Sequence, residues 1–364
     1  MTTKRLRIGV IGVGFGSRVQ IPGFQAEDME VVAVCTRRRE GAERAAQEFG
    51  IPGVYTDYRQ MLQHPGLDAV SIATPPVSHR EIALAALDAG KHVLCEKAFA
   101  MDQGQAREMW QKAEQTGLTA MVNHLFRFAP GRAYVKDLLQ QGYVGDIRTV
   151  HTTLFMGPTR SPRPRPMAWG SQASQGGGFL KALGSHYIDG LLDWSCEITR
   201  VCGSTFLLNA ERVDPESGRN VRADTDDSFG FIFTLKNGGW GSMSASSASP
   251  FGSGAMIQIY GTQGTLQTPQ RGANPAPDGI VLGAKFAEGH GVQELPMPGR
   301  FRPFDDPRDE RSLAFRLLVR RFIQGIAEGS SPSPNFYDGF RCQQVMDAVA
   351  ESGVSGRWVD IPTE

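Results

Sequence analysis

The sequence lacks the features that would set it apart from ordinary globular proteins. Its five cysteines are odd in number and form no CxxC pair, which argues against a disulfide or metal framework. The N-terminal MTTKRLRIGVIGVGFGS has neither a charged-then-apolar signal core nor a run long enough to span a membrane. Lysine plus arginine and aspartate plus glutamate both number 38, so no basic surplus favours nucleic acid or anionic membranes. We expect a cytoplasmic protein with no metal, nucleic-acid or membrane partner.

The length of the chain and a change in its pattern of strands and helices predict two domains. A chain of 364 residues, 40% of them hydrophobic, exceeds what a single core usually supports. In residues 1–125, short Val- and Ile-rich runs alternate with Ala-rich helical patterns that end at glycine, which indicates an α/β doubly wound parallel sheet. Residues 126–364 are richer in strands with partial alternation, two of them joined by the turn KNGG (236–239). We predict an α+β second domain, with a mostly antiparallel sheet that helices cover on one face.

The second domain also carries helical and loop signals. The helices are predicted over 130–141, 180–194, 310–328 and 338–351. Two proline-rich stretches, 157–166 and 270–308, are predicted as loops because proline cannot donate to a helix or a sheet ladder.

A glycine-rich turn follows the first predicted strand in GVIGVGFGS (9–17). It supplies Gly12 and Gly14 of a GxGxxG pattern, with Ser17 at the place of the third glycine. The first glycine permits the tight turn, and the second lets the backbone approach a pyrophosphate at the start of the next helix. At the first strand–helix turn of an alternating βα pattern, this favours dinucleotide binding over a merely structural turn. The expected cofactor contacts here are Gly12, Gly14, Phe15, Gly16 and Ser17.

The end of the second predicted strand bears on the choice of cofactor. Proteins that bind NAD usually carry an acidic residue there, which hydrogen-bonds the adenosine ribose. The stretch VVAVCTRRRE (31–40) has Thr36, Arg37 and Arg38 instead. A hydroxyl followed by guanidinium groups would bind a 2′-phosphate that a carboxylate would repel. The pattern favours NADP(H) over NAD(H), with a solvated helix start as the alternative interpretation of the arginines.

The third predicted strand leads into ATPPVSH (73–79). The carboxyl ends of the strands are where open α/β sheets bind their ligands. We therefore expect Thr74, Pro75 and His79 to lie beside the ribose–nicotinamide half of the cofactor. The two prolines are also ordinary loop residues, so this stretch adds little by itself.

The fourth predicted strand ends in HVLCEKAFA (92–100), with a Glu-Lys pair at the mouth of the sheet. Lys97 would bring an ammonium group to a substrate oxygen or to the cofactor. Glu96 would orient that lysine or bind the cofactor ribose. A surface ion pair is the alternative for this pair of residues.

The stretch GGGFLKALGSHYID (176–189) places a histidine in an apolar run. If the run is helical, Ala182, His186, Asp189 and Asp193 share one face, because residues three and four apart are neighbours on a helix. A histidine titrates near neutral pH and is suited to general acid–base work. A histidine hydrogen-bonded inside a core is the alternative.

Taken in order, these motifs resemble those of the Gfo/Idh/MocA oxidoreductases. The similarity also covers AGKHVLCEK (89–97), VNHLFRFAP (122–130), GYVG (142–145) and DAVAESGVSGRWVDI (347–361). The resemblance implies a Rossmann domain and a C-terminal domain whose large open sheet commonly forms homodimers or homotetramers. It also implies hydride transfer between a nicotinamide and a carbinol carbon of a sugar, cyclitol or derivative.

The resemblance assigns roles position by position. Lys97 matches the lysine of the family's Glu-Lys-Pro motif, and His186 matches the histidine of G-G-G-x-L-x-D-x-G-x-H, which implies that Lys97 polarises the substrate oxygen and His186 is the acid/base. Ala98 replaces the motif proline. Since a cis bond before a residue other than proline costs about 2.5–4 kcal/mol, we predict a trans bond between residues 97 and 98 unless the site imposes strain. Ala182 replaces the motif aspartate, so any function of that carboxylate must be absent or supplied elsewhere.

Four other residues are expected near the substrate. Asn123 and Arg127 follow the last Rossmann strand and are expected to line the cleft, with a structural salt bridge as the alternative for Arg127. Asp189 is expected to orient the histidine or bind a hydroxyl, with helix capping as the alternative. Trp169 and the loop 157–166 are expected to cover the substrate, although a solvated loop is the preferred interpretation of its arginines.

Three other functions stay open on this resemblance. One is a glycoside-cleaving enzyme that holds NAD(H) through oxidation, elimination and re-reduction. Another is a non-catalytic regulator that senses a sugar or the cofactor, which Ala182 allows and which the retained Lys97 and His186 disfavour. The third is a reductase of cyclic imines or biliverdin-like compounds, which would not require His186.

Overall fold

Strands and helices follow one another along the chain in a computed structural model that describes residues 5–157 and 164–362. The strands are β1 (Arg7–Ile11), β2 (Glu30–Cys35), β3 (Gly53–Tyr55), β4 (Ala69–Ile72), β5 (His92–Cys95), β6 (Ala120–Val122), β7 (Ile147–Phe155), β8 (Arg165–Pro166), β9 (Ile198–Phe206), β10 (Glu211–Val213), β11 (Asn220–Arg222), β12 (Ser228–Leu235), β13 (Trp240–Ser246), β14 (Gly254–Gly261), β15 (Gly264–Gln270), β16 (Leu282–Lys285), β17 (Gln293–Glu294) and β18 (Val359–Asp360). The α-helices are α1 (Ile21–Ala26), α2 (Arg39–Phe49), α3 (Tyr58–Leu62), α4 (His79–Asp88), α5 (Gln103–Thr116), α6 (Pro130–Gln140), α7 (Ser185–Asp193), α8 (Ser312–Glu328) and α9 (Phe336–Ser355).

The first six strands form a parallel sheet in the order β3-β2-β1-β4-β5-β6. Strands β4 and β6 are buried at every residue, as expected where helices cover both faces of a parallel sheet. Helices α2 and α5 end at Gly50 and Gly117, which adopt left-handed φ values of 67° and 64°. The prediction of an α/β doubly wound sheet is confirmed.

The chain divides into two compact units. The first unit holds the chain up to Leu125 together with Asp306–Gln343, and the second holds Phe126–Asp305 together with the chain from Gln344. In the first unit, the aromatic rings of α9 pack on residues of the parallel sheet region: Phe336 on Phe99 with ring centroids 4.6 Å apart, and Phe340 within the same buried cluster. The sequence-based division placed all of 126–364 in the second domain, because it followed chain order and could not anticipate this return.

The second unit is built on a nine-stranded sheet in the order β17-β16-β15-β14-β7-β13-β12-β9-β18. All neighbours are antiparallel except β7 and β13, which run parallel. The turn at 236–239 joins β12 to β13 as predicted. Val150 and Phe231 are buried on one face, whereas Ile232 and Trp240 on the other face keep 42% and 51% of their surface exposed. The predicted largely antiparallel sheet is confirmed.

Some elements were not predicted. The short β3 and α3 lie in a segment without clear periodicity, and β16 and β17 extend the sheet through the stretch 270–308 that we predicted as a loop. Of the predicted loop 157–166, residues 158–163 lie outside the described residues, and β8 pairs with β10. These elements are two to five residues long, too short for a hydrophobic period to reveal them.

The four helices predicted in the C-terminal half are present. The one predicted over 180–194 begins with a wide π-type turn at Leu180–Gly184 and continues as α7. Among the described residues, no helix combines the length and the apolar character that crossing a bilayer requires.

Candidate functional site

The glycine turn after β1 has the geometry that a phosphate-binding turn needs. Gly12 adopts a φ of 99°, and a Cβ there would lie 2.4 Å from the carbonyl oxygen of Ala73, so glycine is required. A Cβ on Gly14 would meet nothing within 4 Å, which leaves room for a ligand to approach the backbone. Gly16 begins a helical turn after Phe15, and the Ser17 hydroxyl donates to a carbonyl of that turn. The turn therefore fits a pyrophosphate at a helix start.

The end of β2 lies beside this turn. A Cβ on Gly41 would lie 3.4 Å from Thr36 Cγ2 and 3.7 Å from Val13 Cγ2, so the packing of α2 brings Thr36 close to the glycine turn. Arg37 and Arg38 are exposed, and Arg38 is the residue that precedes α2. Both arginines thus come just before the helix and are accessible to a ligand.

His79 holds two loops together. Its Nε2 lies 2.8 Å from the carbonyl oxygen of Thr74 and its Nδ1 lies 3.2 Å from that of Phe99. Burial lowers the pKa of His79, against the opposing effect of these carbonyls. Thr74 Oγ1 also accepts from the Ser78 hydroxyl at 2.8 Å, and Pro75 precedes a short helical turn. The His79 side chain is fully enclosed and positions the loops after β4 and β5, and its contact with the cofactor stays a prediction.

Glu96 is the centre of a buried polar cluster at the end of β5. Its Oε1 accepts a hydrogen bond from Gln20 Nε2 at 2.8 Å and another from Asn123 Nδ2. The Ser71 hydroxyl in turn donates to Gln20 Oε1 at 2.9 Å. Asn123, which was predicted to contact substrate, is fully buried and donates to Glu96, so it positions that carboxylate. Its contact with substrate stays a prediction. Gln20 and Ser71 were missed, and no local pattern marks them because their partners are 51 and 76 residues away.

Lys97 follows Glu96 and shares its environment. Burial lowers the pKa of Lys97, the Glu96 carboxylate opposes that change, and the Arg311 guanidinium adds to it. Burial likewise raises the pKa of Glu96, against the effects of Lys97, Asn123 and Gln20. Both pKa values are therefore displaced towards neutrality, as is common for residues that do chemistry.

The peptide bond between Lys97 and Ala98 is cis, so the prediction of a trans bond was wrong. That prediction rested on the intrinsic preference of an isolated peptide. In the structure, Ala98 and the two residues after it are buried.

Arg311 is a further residue that the sequence did not single out. It precedes α8, in the C-terminal segment that belongs to the first unit. Its guanidinium lies 5.1 Å above the ring of Phe15 in the glycine turn and makes two 2.7 Å hydrogen bonds to Asp309. A cation near the turn complements an anionic ligand. Only the return of the chain to the first unit brings it there.

In the second unit, two of the three glycines of GGGFLKALGSHYID are needed for close packing. A Cβ on Gly177 would lie 2.5 Å from the carbonyl oxygen of Gly170, and one on Gly178 would lie 2.3 Å from Asp226 Oδ1. Asp226 Oδ2 accepts from the Leu180 amide at 2.8 Å and so caps the helical segment that follows. Trp169, in the neighbouring short turn, is 45% exposed, which leaves its side chain available to a ligand.

His186 lies in the first turn of α7 and is 4% exposed. Its ring stacks on Phe126, with centroids 3.9 Å apart and planes 9° from parallel. Tyr187 meets the same phenylalanine edge-on. The stacking fixes the plane of the imidazole, which a proton-transfer group requires. Phe126 was not predicted, although it lies in the VNHLFRFAP motif. One turn before His186 the side chain is the methyl group of Ala182.

Arg127 and Asp189 form a buried salt bridge. Arg127 Nε donates to Asp189 Oδ2 at 2.8 Å and its Nη2 to Oδ1 at 2.6 Å. Arg127 Nη1 and Lys136 Nζ both donate to Asp193 Oδ1, at 2.9 and 2.6 Å. The structure thus shows the salt bridge that was the alternative for Arg127, and Asp189 is its partner. The substrate contacts of Arg127 and Asp189 stay predictions.

Comparison with known proteins places both halves of the chain. A family model described as "Oxidoreductase family, NAD-binding Rossmann fold" matches residues 6–124, and one described as "Oxidoreductase family, C-terminal alpha/beta domain" matches residues 136–361. Levoglucosan dehydrogenase of Pseudarthrobacter phenanthrenivorans is 27% identical over 403 residues, which cover 99% of each chain.

Two solved structures superpose over nearly the whole chain. A levoglucosan dehydrogenase in complex with NADH and levoglucosan has a TM-score of 0.89 at 26% identity, covering 99% of this chain and 100% of that one. An oxidoreductase domain protein from Kribbella flavida has a TM-score of 0.90 at 27% identity, with the same coverage.

Proposed function

Because the chain belongs to the Gfo/Idh/MocA oxidoreductase family, we propose that it is an NADP(H)-dependent enzyme that acts on a carbinol or carbonyl carbon of a sugar, cyclitol or derivative. The observation that carries this proposal is Lys97. It stands at the end of β5 beside the buried Glu96, in the same unit as the glycine turn, and its pKa is lowered. A lysine in that setting is equipped to stabilise charge on a reacting oxygen.

The residues proposed to hold the cofactor lie on two neighbouring strand ends. The turn from Gly12 to Ser17 would bind the pyrophosphate through backbone N–H groups at a helix start. Thr36, Arg37 and Arg38 would bind the 2′-phosphate of NADP(H), because guanidinium groups pair with phosphate and no acidic residue competes at this place. The complexes of the relative contain NADH, so the preference for NADP(H) rests on these three residues of the present chain.

The proposed chemistry assigns one role to each polar residue. A bound nicotinamide supplies or accepts the hydride. Lys97 stabilises the negative charge that develops on the substrate oxygen. His186, held by its stacking on Phe126, takes the hydroxyl proton when the carbinol is oxidised and returns it when the carbonyl is reduced. Glu96 orients Lys97 and maintains its positive charge.

Sugars are the favoured substrates for two reasons. Levoglucosan and L-sorbose are bound in structures of the relative that superposes well on this chain. In addition, the exposed Trp169 offers the kind of aromatic surface that packs on the apolar face of a sugar. With alanine at position 182, the substrate must be oriented without a carboxylate there.

A homodimer or homotetramer through the nine-stranded sheet is part of the proposal. Ile232 and Trp240 lie on the face of β12 and β13 opposite the buried core residues, and both keep large apolar surfaces exposed. An exposed apolar patch on a sheet commonly marks an interface. Sedimentation of the purified protein tests this part: the Trp240→Glu variant should dissociate to monomers.

The main experiment is a panel of sugars and polyols followed at the absorbance of reduced nicotinamide. Levoglucosan, L-sorbose, glucose and myo-inositol are each tested with NADP⁺ and NAD⁺ and in the reverse direction. We expect turnover with at least one compound and a preference for NADP(H). Product formation without accumulation of reduced nicotinamide would indicate the glycoside-cleaving alternative. Cofactor binding without turnover of any compound would favour the regulator.

Variants of the two arginines test the preference for NADP(H). Replacing both Arg37 and Arg38 by alanine should weaken NADP⁺ binding about ten- to a hundredfold and leave NAD⁺ binding unchanged, because only the 2′-phosphate loses charged partners. Arg44→Ala removes an exposed arginine from the same helix and serves as the matched control. Equal or tighter binding of NAD⁺ by the unaltered protein would contradict the preference.

A further inference from the structure

The second unit contains a cavity that none of the residues discussed so far explains. Its volume is about 460 Å³, within the range of small-molecule sites. One wall is the small sheet in which β8 and β11 flank β10, and the other includes the chain just after β13. Three arginines line the cavity: Arg165, Arg212 and Arg222.

Two of these arginines are neighbours on the small sheet. Arg165 of β8 and Arg212 of β10 are register partners in a parallel pair, so their side chains lie side by side. Like charges placed directly opposite on a sheet destabilise it. Arg212 is also only 9% exposed, so water screens little of its charge. This arrangement is unfavourable unless something negative lies close to both guanidinium groups.

Neutral groups hold both guanidinium groups in place. Arg165 Nη2 donates to the carbonyl oxygen of Ser247 at 2.8 Å. Arg212 Nε donates to the Ser171 hydroxyl at 3.1 Å, and its Nη1 donates to the carbonyl oxygens of Asn209 and Glu211 at 2.7 and 2.8 Å. These contacts orient the arginines but leave their charges uncompensated.

The acidic residues of the cavity wall do not pair with Arg165 or Arg212. Asp227 accepts hydrogen bonds from the amides of Leu208 and Asn209 at 3.0 and 2.7 Å and from the Ser228 hydroxyl. Glu211 is the cross-strand partner of Arg222. Within residues 5–157 and 164–362, no carboxylate lies within 4.0 Å of either Arg165 or Arg212.

The described wall of the cavity carries a net positive charge. Its three arginines, Arg165, Arg212 and Arg222, outnumber its two acidic residues, Glu211 and Asp227.

We infer that this cavity binds the phosphate or carboxylate group of a small anionic molecule, with Arg165 and Arg212 as the pair that recognises it. Two guanidinium groups on one face of a sheet match the oxygen atoms of either anion. The volume leaves space for a sugar-sized body attached to the anionic group, so a sugar phosphate or a sugar acid fits the site.

The electrostatics of Arg212 agree with this inference. Burial lowers the pKa of Arg212, and the nearby Arg165 lowers it further, against a smaller opposing effect of Asp227. An anion bound between the two arginines would stabilise both charged forms.

Isothermal titration at constant ionic strength tests the inference with four probes: inorganic phosphate, glucose 6-phosphate, glucuronate and glucose. We expect at least one of the two sugar anions to bind, and its affinity to fall at least tenfold in Arg165→Gln. Glucose 6-phosphate and glucuronate distinguish a phosphate site from a carboxylate site. Any binding of glucose itself should be the same in the variant. Arg212→Gln should act in the same direction; because Arg165 is exposed, the test stands even if Arg212→Gln fails to fold.

Two controls make the result specific. Arg148→Gln removes one exposed positive charge from the start of β7 and should leave anion binding unchanged. Arg37→Ala removes a cation from the proposed cofactor site. If anion binding is lost in Arg37→Ala and kept in Arg165→Gln, the anion occupies the cofactor site and the inference is overturned. It is also overturned if neither sugar anion binds. None of these titrations depends on turnover, so they are independent of the proposed enzymatic function.

Discussion

Each of the two units buries a group of charged side chains, and the two groups are built differently. In the first unit, the Glu96 cluster consists of Gln20, Ser71, Glu96, Lys97 and Asn123. In the second, the Arg127 cluster consists of Arg127, Lys136, Asp189 and Asp193. The Glu96 cluster surrounds one carboxylate with neutral amides and one ammonium group. The Arg127 cluster pairs two cations with two carboxylates at 2.6 to 2.9 Å.

The difference indicates which charged residues are available for chemistry. In the Arg127 cluster every carboxylate faces a cation at hydrogen-bond distance, an arrangement that holds α7 to the residues before and within α6. In the Glu96 cluster the pKa values of Glu96 and Lys97 are displaced in opposite directions by burial. A cluster with displaced pKa values at the end of a parallel strand is a candidate for function, and a closed set of ion pairs is a candidate for stability.

The largest expected effect is a loss of stability when the Arg127 cluster is broken. Asp189→Ala should lower the free energy of unfolding by about 3–5 kcal/mol, because it leaves a buried guanidinium with an incomplete set of partners. Urea denaturation measures the change. Asp360→Ala is the matched control, since its partner Arg200 is half exposed and a surface pair contributes at most about 1 kcal/mol. Similar losses in both variants would contradict a structural role for the Arg127 cluster.

A smaller effect in free energy is expected on activity when Lys97 of the Glu96 cluster is replaced. Lys97→Met should lower kcat/KM about 10²–10³-fold on the best substrate of the panel, with little change in thermal stability, because it removes the group that stabilises charge on the reacting oxygen. Lys91→Met is the control: this lysine lies in the same unit, is partly buried and donates to the carbonyl oxygen of Leu67. Full turnover in Lys97→Met would remove the lysine from the mechanism.

The smallest effect is a shift in pH dependence. Lys97 acts as a cation, so activity should fall as pH rises through its pKa, which lies below the usual lysine value of about 10.4. The Glu96 charge raises that pKa, so Glu96→Gln should move the alkaline limb of kcat/KM to lower pH. Glu108→Gln, which removes an exposed carboxylate paired with Arg80, should leave the limb in place. A shift of the alkaline limb to higher pH in Glu96→Gln would contradict the role of Lys97 as a cation whose pKa Glu96 raises.

The sequence predicted the parts of the site that depend on local pattern. The turn at Gly12 needs a positive φ, and the strand ends at Thr36, Thr74 and Lys97 follow from alternating βα periodicity. These features are set within a few residues, so the order of residues reveals them. The roles assigned to Lys97 and His186 remain predictions that the variants above and the substrate panel address.

The sequence did not reveal side-chain contacts between residues that are far apart in the chain. Asn123 donates to Glu96, and the His79 ring contacts two carbonyl oxygens, and neither set of partners was predicted. Arg127 was predicted with a salt bridge as its alternative, and the carboxylates that engage it lie 62 and 66 residues away. No spacing rule distinguishes a polar residue that meets a ligand from one that supports its neighbour.

The sequence by itself determined the two-domain architecture, the cofactor turn and the kind of residue at each strand end, because hydrophobic period and turn chemistry are local properties of the chain. Only the tertiary structure decided that Asp306–Gln343 returns to the first unit and brings Arg311 above Phe15. It alone paired Arg165 with Arg212 across two short strands. Contacts of this kind depend on which buried surfaces pack together, and packing between distant segments leaves no periodic trace in the sequence.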